Sequence, residues 1–117
     1  MTMALNQRYT HNDHIALTAD KAYKSGDPVA IGAYRGVAQT SAEKGERVTV
    51  WLNGSYMLPT SGAAKEGDPI YVTSAGKLTA TATGNQFFGV SNGTKGSGDG
   101  DLEVAPAGIV APAPAGA

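Results

Sequence analysis

The chain contains no cysteine. That excludes a disulfide-stapled fold, a thiolate metal site and a cysteine nucleophile. Charge is sparse as well: nine basic and ten acidic residues leave a net charge of −1, and no Lys/Arg cluster occurs. A nucleic-acid binder needs positive charge to displace phosphate counterions, and a polybasic membrane anchor needs a basic run, so both partners are set aside. Long apolar runs are missing too. No stretch approaches the ~20 residues of a membrane span. Met1 to Tyr9 lacks the apolar core of a signal peptide. The expectation is a soluble protein made in a cytoplasm. Helical periodicity is also absent at any useful length. Thr40 to Glu43 has capping-box spacing and Ser61 to Lys65 is Ala-rich, but no apolar run follows the first, and both read as loops.

Large apolar side chains are few. The hydrophobic fraction is 41%, yet 19 of those residues are alanine, which leaves 29 larger ones in 117 positions. One small domain fits that inventory, with a thin core and a narrow margin of stability. Either partner chains supply further burial or the protein is an ordinary small monomer.

What the sequence does hold is glycine, 16 residues at short intervals. Between the glycines lie short alternating or β-branched segments: Ile15–Thr18, Val29–Ile31, Val48–Leu52, Ile70–Thr73, Leu78–Thr81, Phe87–Val90 and Leu102–Val104. Many short strands with turn residues between them predict an all-β barrel or sandwich. The turn Gly26-Asp27-Pro28 before Val29 resembles Gly67-Asp68-Pro69 before Ile70. Glycine takes a positive φ, aspartate bonds back to the backbone, and proline fixes φ where a strand opens. A further Gly and apolar step follow each (Gly36-Val37 and Gly76, Leu78), which reads as a weak internal repeat or as two unrelated turns with the same chemistry. Asn92-Gly93 reads as a hairpin turn. Asn53-Gly54 either closes a hairpin between Val48–Leu52 and Ser55–Leu58 or marks a bulge in one long strand. Residues 1–13 form an N-terminal arm, 14–105 the β domain, and 106–117 an Ala/Pro-rich tail expected to be extended or disordered.

Catalytic and metal-binding patterns are weak. His11 and His14 flank Asp13, but no HExxH-type spacing accompanies them, and a solvated turn is the simpler reading. Gly96 to Asp101, with Asp99, Asp101 and Glu103, faintly resembles a calcium loop but lacks EF-hand spacing. The same run lacks the Gly-Lys-Ser/Thr ending of a phosphate loop. No Gly-x-Ser-x-Gly elbow is present. No enzyme, no cofactor and no metal is expected. Trp51, Tyr34, Tyr56, Tyr71, Phe87 and Phe88 lie in or beside the strands, most of them as core and one or two as contact residues.

From His14 to about Ala107 the chain resembles the small decoration, or capsid cement, proteins of tailed phages. The features run in order: His14–Ala19, Ser25-Gly26-Asp27-Pro28-Val29, Gly36-Val37-Ala38, Gly45-Glu46-Arg47-Val48, Gly54 to Pro59, Gly67-Asp68-Pro69-Ile70-Tyr71, and Gly84 to Val90. Ser55 departs from the pattern, where an apolar residue is expected, and the Ala/Pro tail is no family hallmark. The resemblance implies a small β-barrel, β-tulip-like or sandwich domain of about eight short strands with extended termini. It implies a homotrimer that binds the major capsid protein on the outer surface of a mature shell, at three-fold and quasi-three-fold positions. Leu5, Arg8 and Tyr9 in the arm offer an apolar anchor, a bidentate donor and an amphipathic ring for capsid contact. A virion-surface module for ligands or host glycans is the alternative on the same fold, and an exposed Trp51 would favour it. An enzyme of the β-clip kind is the least supported reading.

Overall fold

Inward and outward residues alternate along most of the short segments, and that alternation builds two curled sheets. A computed structural model describes residues 13–110, with no helix among them. The first sheet contains β1 (His14–Thr18), β2 (Pro28–Ile31), β3 (Tyr34–Ala38) and β4 (Arg47–Trp51), ordered β1-β4-β3-β2. The second contains β5 (Tyr56–Ser61), β6 (Pro69–Val72), β7 (Leu78–Thr79), β8 (Gln86–Ser91) and β9 (Asp99–Pro106), and closes as a barrel β5-β7-β6-β8-β9. A last short strand, β10 (Gly108–Ile109), returns to the first sheet and pairs with β3. Ten strands thus stand where about eight were expected. The first residues beyond Ala105 continue strand pairing, because the Ile109-Val110 pair brings the chain back to Tyr34 and Ala33.

Each sheet has its own core. Val29, Val48, Val50, Leu52 and Tyr23 fill the first, and Leu58, Ile70, Val72, Leu78, Phe88, Leu102 and Val104 fill the second. Both are built mainly from medium-sized aliphatic side chains, with one buried aromatic each, Tyr23 and Phe88. Phe88 is the one member of the aromatic set Trp51, Tyr34, Tyr56, Tyr71, Phe87 and Phe88 that is fully enclosed. The expectation that most of these aromatics are core is therefore corrected: four are half-buried and Phe87 is exposed.

The two sheets are copies of one unit. The pairs β1·β4, β4·β3 and β3·β2 in the first recur as β5·β9, β9·β8 and β8·β6 in the second. Register repeats as well: Val37 faces Trp51 and Pro28, and Val90 faces Ala105 and Pro69. The Gly-Asp-Pro turns repeat down to single bonds. Gly26 N–H donates to the Ala38 carbonyl (2.7 Å), and Gly67 N–H to the Ser91 carbonyl (2.8 Å). The carboxylates of Asp27 and Asp68 each accept from a backbone N–H three residues back, Lys24 and Lys65, both at 2.9 Å. These are therefore not unrelated turns. The continuation of the repeat differs from the sequence reading, however: the counterpart of Gly36 is Gly89, not Gly76. At both positions a Cβ would collide with the facing carbonyl oxygen, of Trp51 and of Ala105 respectively.

The offset has a cause. Only Gly32-Ala33 separates β2 from β3, whereas residues 73–85 separate β6 from β8 and carry β7. β7 bridges β5 and β6 and closes the second unit. The first stays open, and Ile15, Leu17, Ile31 and Tyr34 are left half-buried along it. Asn53-Gly54 closes neither a hairpin nor a bulge; it links one unit to the next. Asn92-Gly93 lies in the long β8–β9 connection rather than in a two-residue turn.

One side chain ties the units together. Arg35, on β3, is buried, and its guanidinium donates to the carbonyls of Gly32 (2.7 Å), Tyr34 (2.8 Å) and Phe87 (2.7 Å) and to Gln86 Oε1 (3.2 Å). The β6·β8 ladder shifts register beside Phe88, where a bulge adds one residue to β8. Two carbonyls there find partners outside that ladder: Phe87 accepts from Arg35 and Phe88 from the Ala107 N–H (3.0 Å). Burial pulls the guanidinium below its ordinary pKa, yet arginine stays charged.

Two outcomes follow for stability. Gly26 and Gly67 have φ of 95° and 91°, with open space where a side chain would go. Replacing either by Val should cost more than about 1 kcal/mol in urea denaturation through backbone strain alone, while Gly96→Ala, at an ordinary φ, stays near neutral. Arg35→Met should cost about 2–4 kcal/mol by leaving buried carbonyls unpaired. Arg35→Lys should not rescue it, because one ammonium cannot reach acceptors spread around a planar fork.

Candidate contact surface

The outer face of the barrel carries the exposed apolar residues. Outward positions on β6, β8 and β9 place Pro69, Val90 and Ala105 in one cross-strand row. The next row holds Tyr71 and Phe87, whose rings meet edge to face with centroids 6.1 Å apart. Met57 on β5 extends the strip beside Glu103. Met57, Phe87, Val90 and Ile109 are the exposed large hydrophobics among the described residues, and only Ile109 lies away from this face. Charge on this side comes from β9, where Asp99, Asp101 and Glu103 share the outward positions, and Glu103 accepts from the Ser55 hydroxyl (2.7 Å).

The weaker chemical candidates resolve as structure. His14 packs against Trp51 with the rings tilted by 47° and their centroids 4.8 Å apart, and Trp51 is half-buried rather than exposed. His11 lies outside the described residues. Among the described residues no three His, Asp or Glu side chains converge as metal ligands. In the Gly96 to Asp101 loop the cation is the chain's own. The Lys95 ammonium donates to the carbonyls of Gly62 (3.0 Å), Gly96 (2.9 Å) and Gly98. The ammonium sits among the loop's own carbonyls, so the loop is a lysine-filled turn. Sequence reading missed this role for Lys95, because nothing local marks a lysine that folds back over its own loop. Tyr23, buried at the seam of the first unit, bonds to Asp20 (2.5 Å), and burial together with that carboxylate pushes its phenol far up. It is a structural hydrogen bond that ties Tyr23 to Asp20.

Two shallow clefts of about 230 and 270 Å³ lie where the units meet and share Lys21, Pro28 and Gly76; polar residues line most of the first, and the second adds Pro59 and the buried Tyr23 and Leu78. Trp51 borders neither. The pairing of exposed aromatic and convergent polar groups that a glycan site requires is not built at these clefts.

A family model for phage cement proteins matches residues 8–106, which spans both units. The chain belongs to the phage cement protein family. It is thus a phage structural protein of the capsid, and the glycan-binding alternative is not favoured. Comparison with curated proteins and with solved structures gave no match. Within this cement protein, Gly26 and Gly67 take positive φ, Asp27 and Asp68 accept from backbone N–H groups, and Pro28 and Pro69 begin β2 and β6. Leu5, Arg8 and Tyr9 lie outside the described residues.

The lysine-filled loop generates one outcome. A ligand that bound only the folded state would raise its melting temperature. Millimolar calcium or EDTA should leave that temperature unchanged within about 1 °C, as read by circular dichroism.

Proposed function

We infer that this chain is a non-enzymatic subunit that binds the outer surface of a mature phage capsid, contacts the major capsid protein, and stands there as a homotrimer. The observation that carries the reading is the family match across both β units. Two features support it. The molecule keeps exposed apolar side chains on a rigid barrel face, and its net charge of −1 leaves little long-range field to steer a partner. Contact then rests on shape and apolar area.

Stabilisation comes from binding, with no chemical step. A ligand that binds only the expanded lattice shifts the equilibrium toward that lattice by mass action. A trimer touching several capsid chains gains more, because its later contacts form at high effective concentration. The arm, with Leu5, Arg8 and Tyr9, reaches a neighbouring subunit in this reading: nine extended residues span roughly 30 Å. There it adds a strand to an exposed edge.

The test is re-addition. Phage heads stripped of the protein are challenged with heat or chelator, and the protein is returned at low and at high salt. Resistance should return at both, unlike the steep salt loss of a phosphate binder. Failure to restore resistance at both salts ends the cement reading. Recovery only at low salt rejects the apolar account of the interface. Removing residues 1–9 should weaken capsid binding, and unchanged binding removes the arm from the interface.

A further inference from the structure

The repeated unit gives each outward residue of one sheet a counterpart in the other. Register assigns Pro28 to Pro69, Ala30 to Tyr71, Arg35 to Phe87, Val37 to Val90 and Trp51 to Ala105. In the first unit this face is covered. Val37 and Ala30 pack into the core of the second unit, and Arg35 bonds to Gln86 and Phe87 there. In the second unit the same face is bare: Val37 is 4% exposed and Val90 is 37%.

The receiving surface repeats too. The first unit docks on the barrel end formed by Val72, Gln86 and Phe87, since Arg35 reaches Gln86 and Phe87 while Ala30 and Val72 line one shared cleft. Register makes Ile31 and Tyr34 the counterparts of Val72 and Gln86. Both are half-buried, and Ile109, 60% exposed, pairs with Tyr34 beside them. A donor face without an acceptor and an acceptor end without a donor therefore sit on the same chain, and together they account for the exposed Phe87, Val90 and Ile109.

We propose that the outer face of the second unit, around Val90 and Phe87, docks on the Ile31–Tyr34–Ile109 end of the first unit of another copy, repeating between chains the contact that joins the two units within one. Such a contact is heterologous, head to tail, and closes a ring when the rotation allows. In the trimer proposed above, six β units would alternate around the ring. The occupant is a second copy because the chain already contains the complementary surface in use. Val90 and Phe87 stand where Val37 and Arg35 stand. Phe87 in place of Arg35 gives an apolar contact where the internal one is polar.

The inference rests on the self-association proposed above, and the experiment separates the two. The chain has no cysteine, so Val90→Cys and Ile109→Cys each introduce one thiol at an exposed position. The two full-length variants, distinguishable by mass, are treated with a short bismaleimide separately and mixed. Cross-links should form between the variants in the mixture and not within either alone. Self-cross-linking of Val90→Cys would mean a two-fold contact and overturn the proposal. A chain that self-associates but gives no mixed product overturns the interface only. A chain that sediments as a monomer at millimolar concentration overturns the trimer and this contact, and leaves capsid binding to its own test. As an independent arm, Val90→Lys should weaken self-association at least about tenfold, with an unchanged urea midpoint. Lys44→Glu, at an exposed turn of the first unit away from the Ile31–Tyr34 end, should have no effect, and loss of association there equal to that of Val90→Lys also rejects the assignment.

Discussion

A guanidinium that meets only neutral oxygens holds the two β units of this protein together. Arg35 leaves the first sheet and ends among the carbonyls of Gly32, Tyr34 and Phe87 and the amide of Gln86. A buried charge without a carboxylate partner is costly unless its donors are met. Here the spread of acceptors matches the arginine fork, and the acceptors gain as much as the donor. The bulge at Phe88 turns the Phe87 carbonyl out of its own ladder, and a buried carbonyl left alone would cost roughly 1–3 kcal/mol. Bulge and arginine therefore satisfy each other. Val37 and Ala30 then pack into the second core around this fixed point.

The dependence runs one way. Insertion of residues 73–85 gives the second unit β7, whose Leu78 is buried between β5 and β6. The barrel closes, and its inward aliphatic side chains are enclosed. The first unit has two residues at the same place and stays an open, curled sheet with half-buried Ile15, Leu17 and Ile31. Units this small bury too little to be stable alone. Docking on the barrel supplies what the open sheet lacks, and the close approaches at Gly36 and Gly89 let the strands curl tightly enough to build both cores.

The all-β class, seven of the strands and the two Gly-Asp-Pro turns were legible because their signals are local. Val48–Leu52 alternates, and glycine, aspartate and proline act within a few residues of themselves. The capsid cement resemblance was legible from the order of such pieces. Pairing was not. Gly36 looked equivalent to Gly76 because both follow a Gly-Asp-Pro turn, and only the register of β8 against β9 shows Gly89 to be its partner. β10 lay in a segment too poor in apolar residues to announce a strand; it exists because Ile109 and Val110 meet Tyr34 and Ala33, more than 70 positions earlier. The roles of Arg35 and Lys95 were equally hidden, since each depends on carbonyls that tertiary structure brings near. The contact surface was only half visible: Phe87 belonged to the aromatic set, but nothing in the sequence distinguishes the exposed Val90 from Val37, which the second unit covers.

A thin core suits a protein whose work is to be bound. Binding free energy is shared: a ligand that stabilises a lattice is stabilised by that lattice to the same extent. In the cement reading, the apolar surface left over inside one unit is covered by the next unit, and what remains on the chain is covered by other chains. The same modest aliphatic contacts act at each level, with little charge to make them depend on salt. Stability that a single chain lacks is then supplied in the assembled state, where the capsid needs it. A larger, self-sufficient core would have used up the apolar residues that the outer face keeps exposed.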